Sequence, residues 1–289
     1  MKTLKYLTVA MFAAGALCMA QSCKQDLGQD PAFDYPTDNV PDDDDDDDTQ
    51  QIPEALYHLS LDGDLSVEGT LAGEVAAYDT DATPEFAAGK IGQAYRNADG
   101  QALILTPDAS SLTSLAAIKS FTVAMWINFD GSNVGSTNLL SIGNSSDAVG
   151  NLAFFLNNGN TEIPGNFYFK GYFVNTSGTT WFDLGGDTTI SGMAGSWQHV
   201  ALSYDGEIST MTLWHNGSVK TSYTWDGLSL GFTNLTGIVL GAFPAQVGLG
   251  ATGDWTATAD FYTGMMDEVY LFDKALSAEE MTALYNLSE

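Results

Sequence analysis

Residues 196–217, SWQHVALSYDGEISTMTLWHNG, read as two strands and two tight turns. Asp205-Gly206 and Asn216-Gly217 are the pairs that type I′ hairpin turns select, because both central positions need φ > 0. Val200, Leu202 and Tyr204 alternate onto one side of the first strand, with Met211 and Leu213 facing them from the second. A two-residue Asp-Gly loop predicts Tyr204 opposite Glu207 and Val200 opposite Met211. The same register sets Trp197 against Trp214, and His199 against Thr212, on the other side. One side is core; the other carries aromatics where a one-sided sheet carries polar groups.

Outward from this hairpin, short alternating runs separated by Gly, Asn, Asp and Ser continue in both directions. They predict strands near 55–60, 90–95, 101–105, 120–129, 138–143, 152–157, 166–173, 197–204, 208–215, 219–225, 236–241 and 265–273. Near the C-terminus Ser277 and Glu280 form a capping box, and the helix behind it presents Met281, Leu284 and Tyr285 to the sheet. The pattern is an all-β sandwich with one terminal helix.

Several segments are also similar to a known family. W-x-H-V-A at 197–201, Y-D-G at 204–206 and L-W-x-N-G at 213–217 resemble the central hairpin of LamG-like jelly rolls in the concanavalin A-like lectin/glucanase superfamily. SFTVAMWIN (120–128), GMMDEVYLFDKALSAEEMTAL (264–284) and GKIGQAY (89–95) resemble its middle, closing and early strands. The resemblance implies a two-sheet antiparallel jelly-roll sandwich with a short C-terminal helix. It speaks to fold far more than to activity.

The N-terminus reads as a targeting signal at 1–22. Lys2 and Lys5 precede an apolar run from Leu7 to Ala20 that is too short to span a bilayer. Ala20-Gln21-Ser22-Cys23 resembles a bacterial lipobox, which would make Cys23 a lipidated first residue. Cys18 leaves with the signal, so no disulfide is expected. Residues 23–52 hold Pro31, Pro36, Pro41 and an unbroken run from Asp42 to Asp48; adjacent carboxylates repel, so this is an extended, solvated tether. It resembles the tethers of Bacteroidota-type surface lipoproteins, implying an outer-membrane anchor with the domain facing the exterior. Residues 53–289 suffice for one sandwich. That segment keeps 26 acids against 6 bases, a net of −20, and Arg96 is the only arginine of the chain. Such a balance excludes nucleic acid and anionic membrane surfaces as partners.

Catalytic motifs are scarce. Laminarinase-type glucanases of the superfamily carry E-x-D-x-x-E on one strand, supplying two carboxylates about 5–5.5 Å apart; no such triplet occurs here. His58, His199 and His215 lack zinc-ligand spacing. The resemblance implies a structural calcium held by the Asp267 carboxylate, with Asp62, Asp64 and Glu68 as neighbouring donors, although Val67 stands where an acid is common. Simple alternation along Met265, Asp267, Val269 and Leu271 puts Asp267 on the core side.

Sugars are recognised by aromatic rings that stack on their C–H faces, plus a few fixed polar groups. Trp126, Trp214 and Tyr223, with His199 as a polar contact, are expected to share the non-core face. Packing beneath loops is the competing reading for Trp126, Trp197 and His199, and core packing for Trp214, yet Trp214 is the ring expected to matter more for binding than for folding. Trp181, Trp225 and Trp255 sit in or beside Gly/Thr/Asp-rich loops, where exposed tryptophans mark use. The function expected is a non-catalytic, lipid-anchored glycan-binding protein. The alternatives are an adhesive module for neighbouring surface proteins and a hydrolase whose carboxylates lie on separate strands.

Overall fold

A computed structural model describes residues 52–287 other than 80, 82, 132–134, 158–165 and 254. The signal segment, Cys23 and nearly all of the tether lie outside the described residues. In chain order the elements are β1 (Tyr57–Leu59), β2 (Gly73–Ala77), β3 (Glu85–Ala88), β4 (Gln93–Asn97), β5 (Leu103–Pro107), α1 (Ala109–Ala117), β6 (Phe121–Phe129), β7 (Ser136–Asn144) and β8 (Asp147–Asn157). They continue as β9 (Phe167–Asn175), β10 (Gly178–Phe182), β11 (Thr189–Ile190), β12 (Gln198–Asp205), β13 (Thr210–His215), β14 (Ser218–Thr224), β15 (Leu235–Leu240), β16 (Gly264–Phe272) and α2 (Ala278–Asn286).

Two eight-stranded antiparallel sheets face each other. The first runs β14-β13-β12-β6-β16-β4-β3 with β1 beside β16, and the second β10-β9-β8-β7-β15-β5-β2 with β11 beside β9. Phe121, Val123, Met125, Ile127 and Phe129 line the inner face of β6, as alternation predicts, and meet Phe154, Leu156, Phe169 and Phe173 of the second sheet in one core. The sheets lie close together at Gly171, where a Cβ would come within 3.0 Å of both Leu202 and Met211.

The hairpin differs from its expected register. Tyr204 pairs with Met211 and Asp205 with Thr210, so four residues, 206–209, join the strands. The chain is pinned there because Ser120 Oγ accepts from the Gly206 amide at 3.0 Å, Asp205 Oδ1 accepts from the Glu207 amide at 2.9 Å, and Ser209 turns the corner at φ 52°. The slip is even, so Val200, Leu202, Tyr204, Met211 and Leu213 keep their common face and are all buried. Trp197 precedes β12 and pairs with nothing on β13, while Trp214 faces Ala201 and Thr212 faces Ser203. Asn216-Gly217 forms the tight turn expected, with φ of 48° and 73° and His215 opposite Ser218.

One helix and several strands escape sequence reading. Helix α1 is opened by Asp108, whose Oδ1 accepts from the Ser111 amide at 2.7 Å and the Ser110 hydroxyl at 2.8 Å. Its Ser/Thr-rich sequence presents little apolar period, and only Ser111 and Leu115 are buried. Strands β2, β3, β10 and β11 are short, and β2, β3 and β10 close the margins of the sheets, where one-sided exposure blurs the pattern.

Candidate functional site

The outer face of the first sheet is a second core. Trp126 on β6 lies between His199 on β12 and Asp267 on β16. Tyr285 of α2 stacks on Trp126 at 5.4 Å, His199 meets it edge-on at 5.3 Å, and Lys90 Nζ sits 4.7 Å over its ring. The Trp214 indole donates to Ser203 Oγ at 2.8 Å and packs among Ala124, Ala201, Phe272, Met281 and Leu284. Trp126 is 4% exposed, Trp214 6% and His199 1%. Burial, with His215 nearby, pushes the His199 imidazole down to about 3, so it stays neutral. Helix α2 covers this face, and the three side chains expected to touch a ligand are packed out of reach of one.

Tyr223 is not beside Trp214 either. Between β13 and β14 the pairing passes from Trp214 opposite Val219 to Leu213 opposite Thr221, leaving Lys220 as a bulge. The extra residue reverses the alternation. Tyr223 therefore pairs with Met211, on the face opposite Trp214, and leans on Trp225 at 4.9 Å.

A similar bulge relocates Asp267. Met266 belongs to the inter-sheet core, Glu268 takes φ 50°, and Val269 resumes the core side. Asp267 thus shares the outer face with Trp126, fully buried, where its Oδ2 accepts from the amides of Lys90 (2.7 Å) and Ile91 (3.0 Å). Its Oδ1 has no partner. Desolvation outweighs the two amides and pushes the carboxyl up to about 6. Asp62 is spent on the same turn, accepting from the Gln93 amide at 2.6 Å, while Asp64 turns to the Ser66 amide at 2.8 Å. Glu68 approaches His58 at 3.6 Å instead. Among the described residues no three His, Cys, Asp or Glu side chains gather to hold a metal. A calcium ion needs six to eight oxygens, and this donor set does not fit one.

The outer face of the second sheet is different. Trp181 on β10 and Trp255, on a 3-10 turn over Trp255–Thr258, are 44% and 36% exposed. Their rings lie 6.2 Å apart at 45°. Beneath them, Tyr172 meets Trp181 edge-on at 4.8 Å, and Phe155 lies about equally far from both, at 6.1 and 6.2 Å. The register explains the grouping: Trp181 pairs with Tyr172, which pairs with Ala153, next to Phe155 but one on the same strand face. Phe243 supports Trp255 at 5.2 Å. Tyr172 is fixed by donating its hydroxyl to Asp147 Oδ2 at 2.6 Å; burial and that carboxylate hold the phenol well above its ordinary range. Asp147 is itself held by the Val149 and Gly150 amides. Lys170, paired with Phe155, forms an ion pair with Asp183 at 2.7 Å. The result is two exposed rings on a rigid aromatic floor, rimmed by charged groups. Of the three loop tryptophans singled out in the sequence, this site brings together Trp181 and Trp255, 74 positions apart; of the sheet-face candidates it contains none.

The sequence of residues 97–282 matches the family Laminin_G_3, described as the concanavalin A-like lectin/glucanases superfamily. The chain belongs to that superfamily. No curated protein matches it. Among solved structures it is similar to domain 4 of AbnA, an extracellular arabinanase from Geobacillus stearothermophilus, in complex with arabinotriose: 21% identity, TM-score 0.53, 81% of this chain and 100% of that one. It is similar to the CBM40 of the Ruminococcus gnavus IT-sialidase bound to α2,3-sialyllactose (16%, TM-score 0.50, 66% and 96%). It also resembles the binding domain of botulinum neurotoxin DC in complex with SialylT (12%, TM-score 0.53, 82% and 52%), and spans about half the length of that chain. At these identities the likeness is one of fold.

Proposed function

We propose that this superfamily domain binds carbohydrate without cleaving it, at the Trp181–Trp255 face, and that Cys23 anchors it by lipid to the exterior of an outer membrane. The observation that carries the reading is the pair of exposed indoles on a fixed floor. Exposed tryptophans cost solvation unless a ligand covers them, and sugar rings present C–H faces of matching size. The arabinotriose and sialyllactose complexes of similarly folded domains support a glycan as the ligand class. The lack of a glucanase-type carboxylate motif supports capture over hydrolysis.

A glycan array followed by calorimetry on the best hit tests it. Trp181→Ala and Trp255→Ala should each weaken binding roughly tenfold or more, the scale of one lost stacking contact, with little change in melting temperature. Retained affinity in both variants would overturn the site. A protein partner is the second reading, favoured by Ile208 and Val219, apolar side chains that are 61% and 55% exposed; an array blank for plant, microbial and host glycans would select it.

A further inference from the structure

A groove of about 570 Å³ opens on the first sheet, at the part of its outer face lined by Arg96, Met265 and Asn128. Three neighbouring strands build its floor. Met265 on β16 pairs with Arg96 on β4 and with Asn128 on β6, so these side chains form a row across the sheet. Their flanking residues Tyr95, Met266 and Ile127 are buried in the core, which fixes the row outward. The wall is built by hydrogen bonds: Thr263 Oγ1 donates to Asp130 Oδ1 at 2.7 Å, and the Gly195 amide donates to the Phe129 carbonyl at 2.7 Å. Asn97, next to Arg96 on β4 and 2% exposed, turns to the core side and braces this end of the sheet by donating to the Gln101 carbonyl at 3.0 Å and to the Tyr262 carbonyl at 2.5 Å. Its Oδ1 is buried without a partner.

Arg96 is the only guanidinium in the chain, in a domain with 26 acids. Glu85 is its register partner on β3, and Asp99 is three residues away. Even so, among the described residues Arg96 joins no ion pair. An arginine left unpaired in so acidic a setting, in a row with an amide, offers the planar fork that matches a carboxylate bidentately. The groove also contains Asp99, an exposed carboxylate that accepts hydrogen bonds and repels dense anions. Sulfate and phosphate carry charge without enough donors for that carboxylate. A neutral sugar leaves the guanidinium unmatched. A sugar with one carboxylate and several hydroxyls satisfies both kinds of group. No aromatic ring lines the groove, so recognition there is ionic and hydrogen-bonded, unlike at the tryptophans.

We infer that this groove is a second site, separate from the Trp181–Trp255 face, that takes a carboxylate-bearing sugar with its carboxylate on Arg96. Its test is an NMR titration of the whole protein, following the Arg96 side-chain Nε–H signal. Glucuronate and N-acetylneuraminate are the probes; glucose and inorganic sulfate are the controls. One or both acidic sugars should shift the signal saturably, and the controls should not. Arg96→Gln should lower the affinity tenfold or more at an unchanged melting temperature, and Arg96→Lys should restore part of it. Trp181→Ala should leave the titration unaltered, so failure of the tryptophan site and failure of this one are told apart. No shift with either acidic sugar, or an equal shift with sulfate, would overturn the inference.

Discussion

Asp267 shows how much one residue's surroundings decide. Its carboxyl is fully buried with one oxygen unpartnered, and it titrates near 6 against an ordinary 3.8. Between those values the folded chain binds more protons than the unfolded one, so this group's contribution to stability falls as pH rises from about 4 to 6. His199 acts in the opposite sense: its depressed imidazole removes stability as pH falls below about 6.5. Comparing Asp267→Asn with the parent by urea denaturation isolates the first effect. The variant's relative stability should rise by about 2 kcal/mol from pH 4 to pH 7; a pH-independent difference refutes the assignment. Excess EDTA should leave the parent's melting temperature unchanged, because Asp62, Asp64 and Asp267 each turn an oxygen to backbone amides and, among the described residues, no three acids gather around one point. A drop of several degrees would reinstate calcium. The acids themselves are plain in the sequence. Their failure to converge is not, because the Glu268 bulge re-aims Asp267.

At the scale of elements, α2 turns a promising face into core. The Ser277–Glu280 capping box forms as the sequence predicts, with the Ser277 amide donating to Glu280 Oε2 at 2.9 Å and the Glu280 amide to Ser277 Oγ at 3.2 Å. Met281 and Leu284 then bury Trp214, and Tyr285 stacks on Trp126. Gly217 lets the Asn216-Gly217 turn lie against α2, where a Cβ would sit 3.0 Å from Tyr285. Trp214→Ala should therefore cost about 3–5 kcal/mol of stability, as large buried aromatics do, while leaving affinity for the array-selected glycan within about twofold. Thermal melts and calorimetry read the two separately. A selective loss of affinity in a normally stable variant would return Trp214 to the ligand. The helix, its cap and its apolar stripe are legible in sequence. Where it docks is set by complementarity to a sheet assembled from distant strands.

Over the whole molecule, a domain net charge of −20 repels itself. The described ion pairs are few, and two of the four involve His58. Raising NaCl from about 10 mM to about 300 mM shortens the screening length severalfold. It should raise the melting temperature by a few degrees; a fall would mean that specific pairs outweigh the net repulsion. The sandwich, the core faces of β6, β12 and β13, the Asn216-Gly217 turn and the capped last helix can all be read along the chain. These depend on alternation, turn chemistry and capping, which act within a few residues along the chain. The hairpin slip left the core faces intact because the side-chain period is two and the slip was even. Which aromatics are exposed depends on the assembled fold. Two single-residue bulges reversed parity at Tyr223 and Asp267, α2 covered one sheet, and the chain folded Trp255 against Trp181. A parity reversal takes one residue, and a long-range contact depends on every element between its ends, so neither leaves a local trace.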